Sequence, residues 1–102
     1  MAFGIGTKAE HPDSGMIQGT VKEVAVKCWF TVSGKSMPLM MKVRTEEEEI
    51  IKVDDIQVLT VDKQWYAGIM NVKYRCQALV RGQMKEFILL FCPEECSWKL
   101  VI

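Results

Sequence analysis

Residues 72–92, which read VKYRCQALVRGQMKEFILLFC, decide the fold of this chain. Apolar and polar side chains alternate on both sides of Arg81-Gly82, which is the period of a strand with one buried face. A two-residue hairpin loop at Arg81-Gly82 places one apolar set on a shared face: Tyr74, Cys76, Ala78, Val80, Phe87, Leu89 and Phe91. A slip of one residue would bring Glu86 opposite Ala78 on that face. The pattern therefore predicts an antiparallel hairpin with a single register.

The stretch VKEVAVKCWFTV, at 21–32, alternates in the same way and predicts another half-buried strand. Its alternate apolar residues form one face: Val24, Val26, Cys28, Phe30 and Val32. The next stretch, MPLMMKV at 37–43, has a similar face: Met37, Leu39, Met41 and Val43. A two-residue loop at Gly34-Lys35 would bring both faces together, since glycine first suits a type II′ turn. Pro38 predicts an edge strand or a strand irregular at its start, because proline has no N–H for the ladder.

Short apolar segments separated by charged residues make up the rest of the chain. The segment 44–49 predicts a charged loop and Asp54-Asp55 a turn, while WYAGIMN at 65–71 predicts a short strand bent at Gly68. CPEEC at 92–96 predicts the corner before a final strand, whose LVI end is expected at a sheet edge. No segment shows a sustained helical period.

About seven short strands joined by tight turns predict an all-β fold, either a small antiparallel β-barrel or a β-sandwich. Residues 18–102 are expected to form this single domain. Residues 1–17 carry three glycines and a proline without a regular period, so they predict an N-terminal arm or leading loop.

Charge and hydropathy restrict the function. The chain has 102 residues with 13 Lys+Arg and 13 Asp+Glu, so its net charge is zero. Long-range attraction to phosphate backbones is therefore absent, and a nucleic-acid partner is disfavoured. Uncharged stretches fall far short of the ~20 residues of a membrane-spanning helix, and the first residues lack an apolar signal segment. We expect no membrane association, a cytoplasmic location and reduced cysteines.

Residue patterns for catalysis are weak. His11 is the only histidine and lies in the leading arm, so a nucleophile paired with a histidine base is not expected in the domain. SGKS at 33–36 matches the end of a phosphate-binding loop, but Trp29 occupies the position of the required first glycine. Strands also flank this segment, where the motif needs a helix. We expect neither an enzyme nor a bound cofactor.

The cysteines give an alternative hypothesis, a metal-binding or thiol-redox protein centred on Cys92 and Cys96. Structural zinc sites usually draw their ligands from two close-spaced pairs, and this chain has one such pair. His11 or Cys76 would have to complete the site. The two glutamates between Cys92 and Cys96 disfavour thiolate formation, which argues against redox chemistry.

Aromatic residues outside the predicted core give the leading functional hypothesis. Trp29 points away from the apolar face, and the predicted register puts Met40 directly across from it. Tryptophan and methionine are enriched in protein interfaces. We therefore predict a protein-interaction module, with a homodimer as the first partner to test. The predicted contact residues are Trp29, Met40, Lys27 and Lys42, with Trp65 and Tyr66 as a second aromatic surface.

Overall fold

Residues 19–102, the part of the chain that the computed structural model describes, form two antiparallel sheets. The strands are β1 (Val21–Glu23), β2 (Ala25–Phe30), β3 (Ser36–Arg44), β4 (Ile50–Val53), β5 (Gln57–Tyr66), β6 (Ile69–Val80), β7 (Gln83–Cys92) and β8 (Ser97–Val101). The larger sheet has the order β1-β8-β7-β6-β5, and the smaller sheet has the order β2-β3-β4. The predicted all-β class is confirmed. The two sheets form an open sandwich and do not close into a barrel.

The predicted N-terminal arm, residues 1–17, lies outside the described residues. Within residues 19–102, no helix has the length and apolarity needed to cross a bilayer.

The hairpin of β6 and β7 has the predicted register. Ala78 pairs with Lys85, and the pairing continues without a shift along both strands. Arg81 and Gly82 have φ values of 51° and 81°, the positive φ at both positions that a type I′ loop requires. The predicted apolar face points into the core because its residues pack against the smaller sheet.

The stretch 21–32 is two strands rather than the single strand predicted. β1 pairs with β8 in the larger sheet, whereas β2 pairs with β3 in the smaller one. The chain crosses between the sheets at Val24, as strands do at the corners of sandwiches. Both half-strands keep the alternation of period two, so the sequence pattern does not reveal the break.

The loop between β2 and β3 is longer than the two residues predicted. The Thr31 backbone N–H donates to the Lys35 carbonyl oxygen at 2.8 Å, and the Gly34 N–H donates to the Thr31 carbonyl oxygen at 2.9 Å. Gly34 has a φ of 86°, which explains the glycine at this position. Val32 lies at the loop surface and is fully exposed, so its predicted place on the core face is wrong.

A bulge in β3 changes the predicted pairing of β2 with β3. Lys27 pairs with Met40, but Cys28 pairs with Pro38, so Leu39 is the extra residue. Pro38 explains the bulge, because a proline inside a sheet is tolerated at such irregularities. β3 is the central strand, so the irregular start was the correct alternative and the edge position was wrong. The bulge leaves Leu39 exposed, against prediction.

Two other local predictions need correction. Ala67-Gly68, with φ values of 52° and 80°, is a hairpin turn between the long strands β5 and β6 rather than a bend within a short strand. The final strand β8 lies between β7 and β1, so its LVI end is not at a sheet edge. The CPEEC corner is placed as predicted, between the end of β7 at Cys92 and the start of β8 at Ser97.

Tyr74 links the two sheets through a buried hydroxyl. It lies on β6, and its hydroxyl donates to the backbone carbonyl oxygen of Ser36 on β3 and is also hydrogen-bonded to Ser36 Oγ. Tyr74 and Ser36 are only 3% and 7% exposed, respectively. Removing the phenol oxygen would leave buried polar atoms of Ser36 without partners.

We expect Tyr74→Phe to lower the free energy of unfolding by about 1–3 kcal/mol, the usual cost of buried polar groups left unsatisfied. Urea denaturation measures this change. A double-mutant cycle with Ser36→Ala isolates the contact between the two hydroxyls, because the Ser36 carbonyl oxygen is present in every variant. A cost below about 0.5 kcal/mol for Tyr74→Phe would show that the hydroxyl does not link the sheets.

Candidate functional site

The solvent-facing side of the smaller sheet, hereafter the β2–β4 face, carries the predicted interaction residues. In β2, β3 and β4, side chains alternate between the core and this face, and paired residues project to the same side. The register gives its members: Ala25, Lys27, Trp29, Met37, Met40, Lys42, Arg44, Ile50 and Lys52. The predicted contact residues Trp29, Met40, Lys27 and Lys42 therefore lie on one face.

Trp29 is the largest apolar side chain on the β2–β4 face and is 62% exposed. Its cross-strand partner is Met37, which is 46% exposed, and not the predicted Met40. Met40 is half-buried and pairs with Lys27. Both methionines remain beside the tryptophan, so this face has an apolar centre with an aromatic anchor.

Cations surround this apolar centre. Lys27, Lys42 and Arg44 are exposed and form no ion pair within residues 19–102. Lys52 lies 3.6 Å from Asp54, and both side chains are more than half exposed, so this pair contributes little. Although the whole chain is neutral, the β2–β4 face is therefore positively charged.

The loop that follows β3 carries the opposite charge. In Thr45–Glu49 the Thr45 N–H donates to the Glu49 carbonyl oxygen at 2.8 Å, and the Glu48 N–H donates to the Thr45 carbonyl oxygen at 2.9 Å. These bonds hold four consecutive glutamates in a closed loop. Glu49 binds Arg81 at 3.1 Å, and the other three form no ion pair within residues 19–102. The loop thus presents uncompensated negative charge.

The second predicted aromatic surface lies on the other sheet. Trp65 and Tyr66 are half-buried at the end of β5, where they pair with Met70 and Ile69 beside the Ala67-Gly68 turn. The structure does not join them to the β2–β4 face, because β5 belongs to the larger sheet.

The structure separates the cysteines that a shared metal site would need. Cys76 points into the core from β6, whereas Cys92 lies at an outward position of β7, so the sheet itself stands between them. Cys96 is exposed in the turn that follows Cys92. Within residues 19–102, no three metal-ligating side chains form a group, and His11 lies outside this part. Cys76 therefore cannot complete a site with Cys92.

Thiolate chemistry is also disfavoured at two of the thiols. Burial raises the pKa of Cys76 from its ordinary value of 9.0 to about 12. Burial is likewise the main cause that raises the pKa of Cys28, with a smaller contribution from Cys96. Both groups are protonated near neutral pH and are poor nucleophiles.

Several members of the β2–β4 face were not identified from sequence, namely Met37, Arg44, Ile50 and Lys52. The alternation predicts a core position for Met37, because it does not show the bulge at Leu39. Ile50 and Lys52 could have been placed by pairing β3 with β4 across the acidic loop.

Comparisons of the chain with protein-family models, curated proteins and solved structures find no match.

Proposed function

We propose that this chain is a protein-interaction module that binds a second copy of itself through the β2–β4 face. The exposed Trp29 supports this proposal because tryptophan, with its large area and few rotatable bonds, often dominates interface energetics. Charge complementarity within one chain supports a second copy as the partner. Lys27 and Lys42 form no ion pair within residues 19–102, and three acids of the acidic loop, Glu46 to Glu48, form none either.

A two-fold arrangement would satisfy both charges at once. In a symmetric dimer the same surface serves on both subunits, so each acidic loop can lie against the partner's cations. Three strands about 4.8 Å apart and a β3 of nine residues give a face of about 14 by 30 Å. Two such faces bury about 840 Å² in total, less than a standard specific interface, so we expect a weak and transient dimer with a dissociation constant in the micromolar range or above.

The test is dilution calorimetry of Trp29→Ala beside the unchanged chain. Loss of a central tryptophan anchor costs about 2 kcal/mol or more, so we expect dimer dissociation constants at least about 30-fold higher. Leu79→Ala is the matched control, because Leu79 is also 62% exposed but lies on the larger sheet. Equal dimerisation of Trp29→Ala and Leu79→Ala would contradict the proposal.

Charge reversal tests the electrostatic part. Lys27→Glu combined with Lys42→Glu should abolish self-association, while Lys63→Glu, an exposed change on β5, should leave it unchanged. The same cationic aromatic face could instead stack single-stranded nucleic acid. The dimer proposal would be overturned if the chain stays monomeric and binds oligothymidylate in a salt-sensitive manner that requires Trp29.

We propose a cytoplasmic location for the dimer, supported by the four free thiols.

A further inference from the structure

A cleft opens between the two sheets at the end where β6 turns into β7. It has a volume of about 540 Å³, within the range of small-molecule sites. Its apolar walls include Val43 and Ile51 from the smaller sheet and Val80, Phe87 and Leu100 from the larger one. Because these walls offer hydrocarbon surface, an occupant has to bury an apolar body there.

Two lysines at the mouth occupy positions where the strand pattern calls for apolar residues. Lys85 is paired with the buried Ala78, and Lys22 is paired with the buried Leu100, so both occupy core-side positions of the larger sheet. Both line the cleft, and neither forms an ion pair within residues 19–102. Their strands, β1 and β7, lie on either side of β8, so both cations project from the same face of the larger sheet.

Acidic side chains also line the mouth, of which Glu86 is paired and Glu46 and Glu47 form no ion pair within the described residues. Glu86 is held 3.4 Å from Arg75, and its backbone position faces outward. Glu46 and Glu47 belong to the acidic loop that follows β3.

Two arginines also line the cleft, but Arg81 is paired with Glu49 and Arg44 projects from an outward position of β3. Lys22 and Lys85 are therefore the lining cations that project from core-side positions.

We propose that this cleft binds an amphiphile with an apolar body and a carboxylate head. The apolar body packs between the sheets, and the carboxylate meets Lys22 and Lys85 at the mouth. The two lysines at core-side positions support a carboxylate head group, because an uncharged ligand would need no cation there. The apolar walls of this site face the core and not the β2–β4 face, whereas its mouth includes Arg44 of that face and Glu46 and Glu47 of the acidic loop.

Calorimetric titration with decanoate, decanol and decylamine tests the head group. We expect decanoate to bind most tightly and decylamine at least about fivefold more weakly, the scale of an exposed ion pair. Lys22→Gln combined with Lys85→Gln should weaken decanoate about fivefold without changing decanol. Lys63→Gln, an exposed change on β5, is the matched control and should change neither.

Methyl chemical shifts in the unchanged protein report the location of binding. Decanoate should shift the methyl resonances of Val43, Ile51 and Val80 and leave those of Val32 unchanged. Equal affinities for the three ligands would overturn the carboxylate assignment. Shifts away from the cleft, or no binding up to the solubility limit of decanoate, would overturn the site.

Discussion

Leu89→Ala should lower the free energy of unfolding by about 3–5 kcal/mol. Leu89 is fully buried at the middle of β7, where it pairs with Tyr74 on β6 and with Leu100 on β8. Removing three carbons there loses hydrophobic transfer free energy and leaves a cavity that paired strands on both sides cannot close.

Leu79→Ala makes the same chemical change at a site that is 62% exposed on the neighbouring strand. We expect it to cost less than about 0.5 kcal/mol, as surface changes usually do. Urea denaturation of both variants at pH 7, with similar denaturant slopes, gives the comparison. A cost below about 1 kcal/mol for Leu89→Ala would mean that β7 does not form the centre of the core.

Alkaline pH should destabilise the protein through Cys76. Burial raises the pKa of this thiol from 9.0 to about 12, so between these values the folded state keeps a proton that the unfolded state has released. The contribution to stability is complete below pH 9 and falls as the pH rises. At about 1.4 kcal/mol per pH unit, this single group removes up to about 4 kcal/mol by pH 12.

Urea denaturation of the unchanged chain and of Cys76→Ala between pH 8 and 11 measures this effect. The variant has lost a small buried side chain and should be less stable at pH 8, but its stability should fall less steeply above pH 9. Part of the slope should persist, because burial also raises the pKa of Tyr74. Identical slopes for the two proteins would show that the Cys76 thiol is not protected by folding.

How far the sequence predicts the fold depends on whether the alternation is interrupted. In 72–92 the apolar pattern runs unbroken through a two-residue loop, and every pair follows from it. Between β2 and β3, the five-residue loop changes which residues pair, so the predicted register is wrong. The bulge at Leu39 then restores the predicted side-chain orientation, so Val26, Met41 and Val43 still point into the core. The crossing at Val24 also leaves the period intact and gives no local signal.

The candidate site was predicted in part for the same reason. Alternation placed Trp29, Lys27 and Lys42 outside the core whatever their partners. Alternation also places Met40 on this face, but its predicted partner Trp29 is wrong. Met37 lies on the face because the bulge at Leu39 reverses the alternation at the start of β3. The lysines of the cleft could have been noticed from the β6–β7 register, since Lys85 falls opposite Ala78. The position of Lys22 could not have been predicted in this way, because its partner Leu100 lies near the other end of the sequence.

Sedimentation equilibrium of the unchanged chain tests the proposed self-association most directly. At low salt, the apparent mass should rise with micromolar concentration from the 11.7 kDa of one chain towards twice that value. Added salt should shift the rise to higher concentrations, because exposed charges contribute to the interface. A constant mass of one chain at the highest concentration and lowest salt would contradict the account.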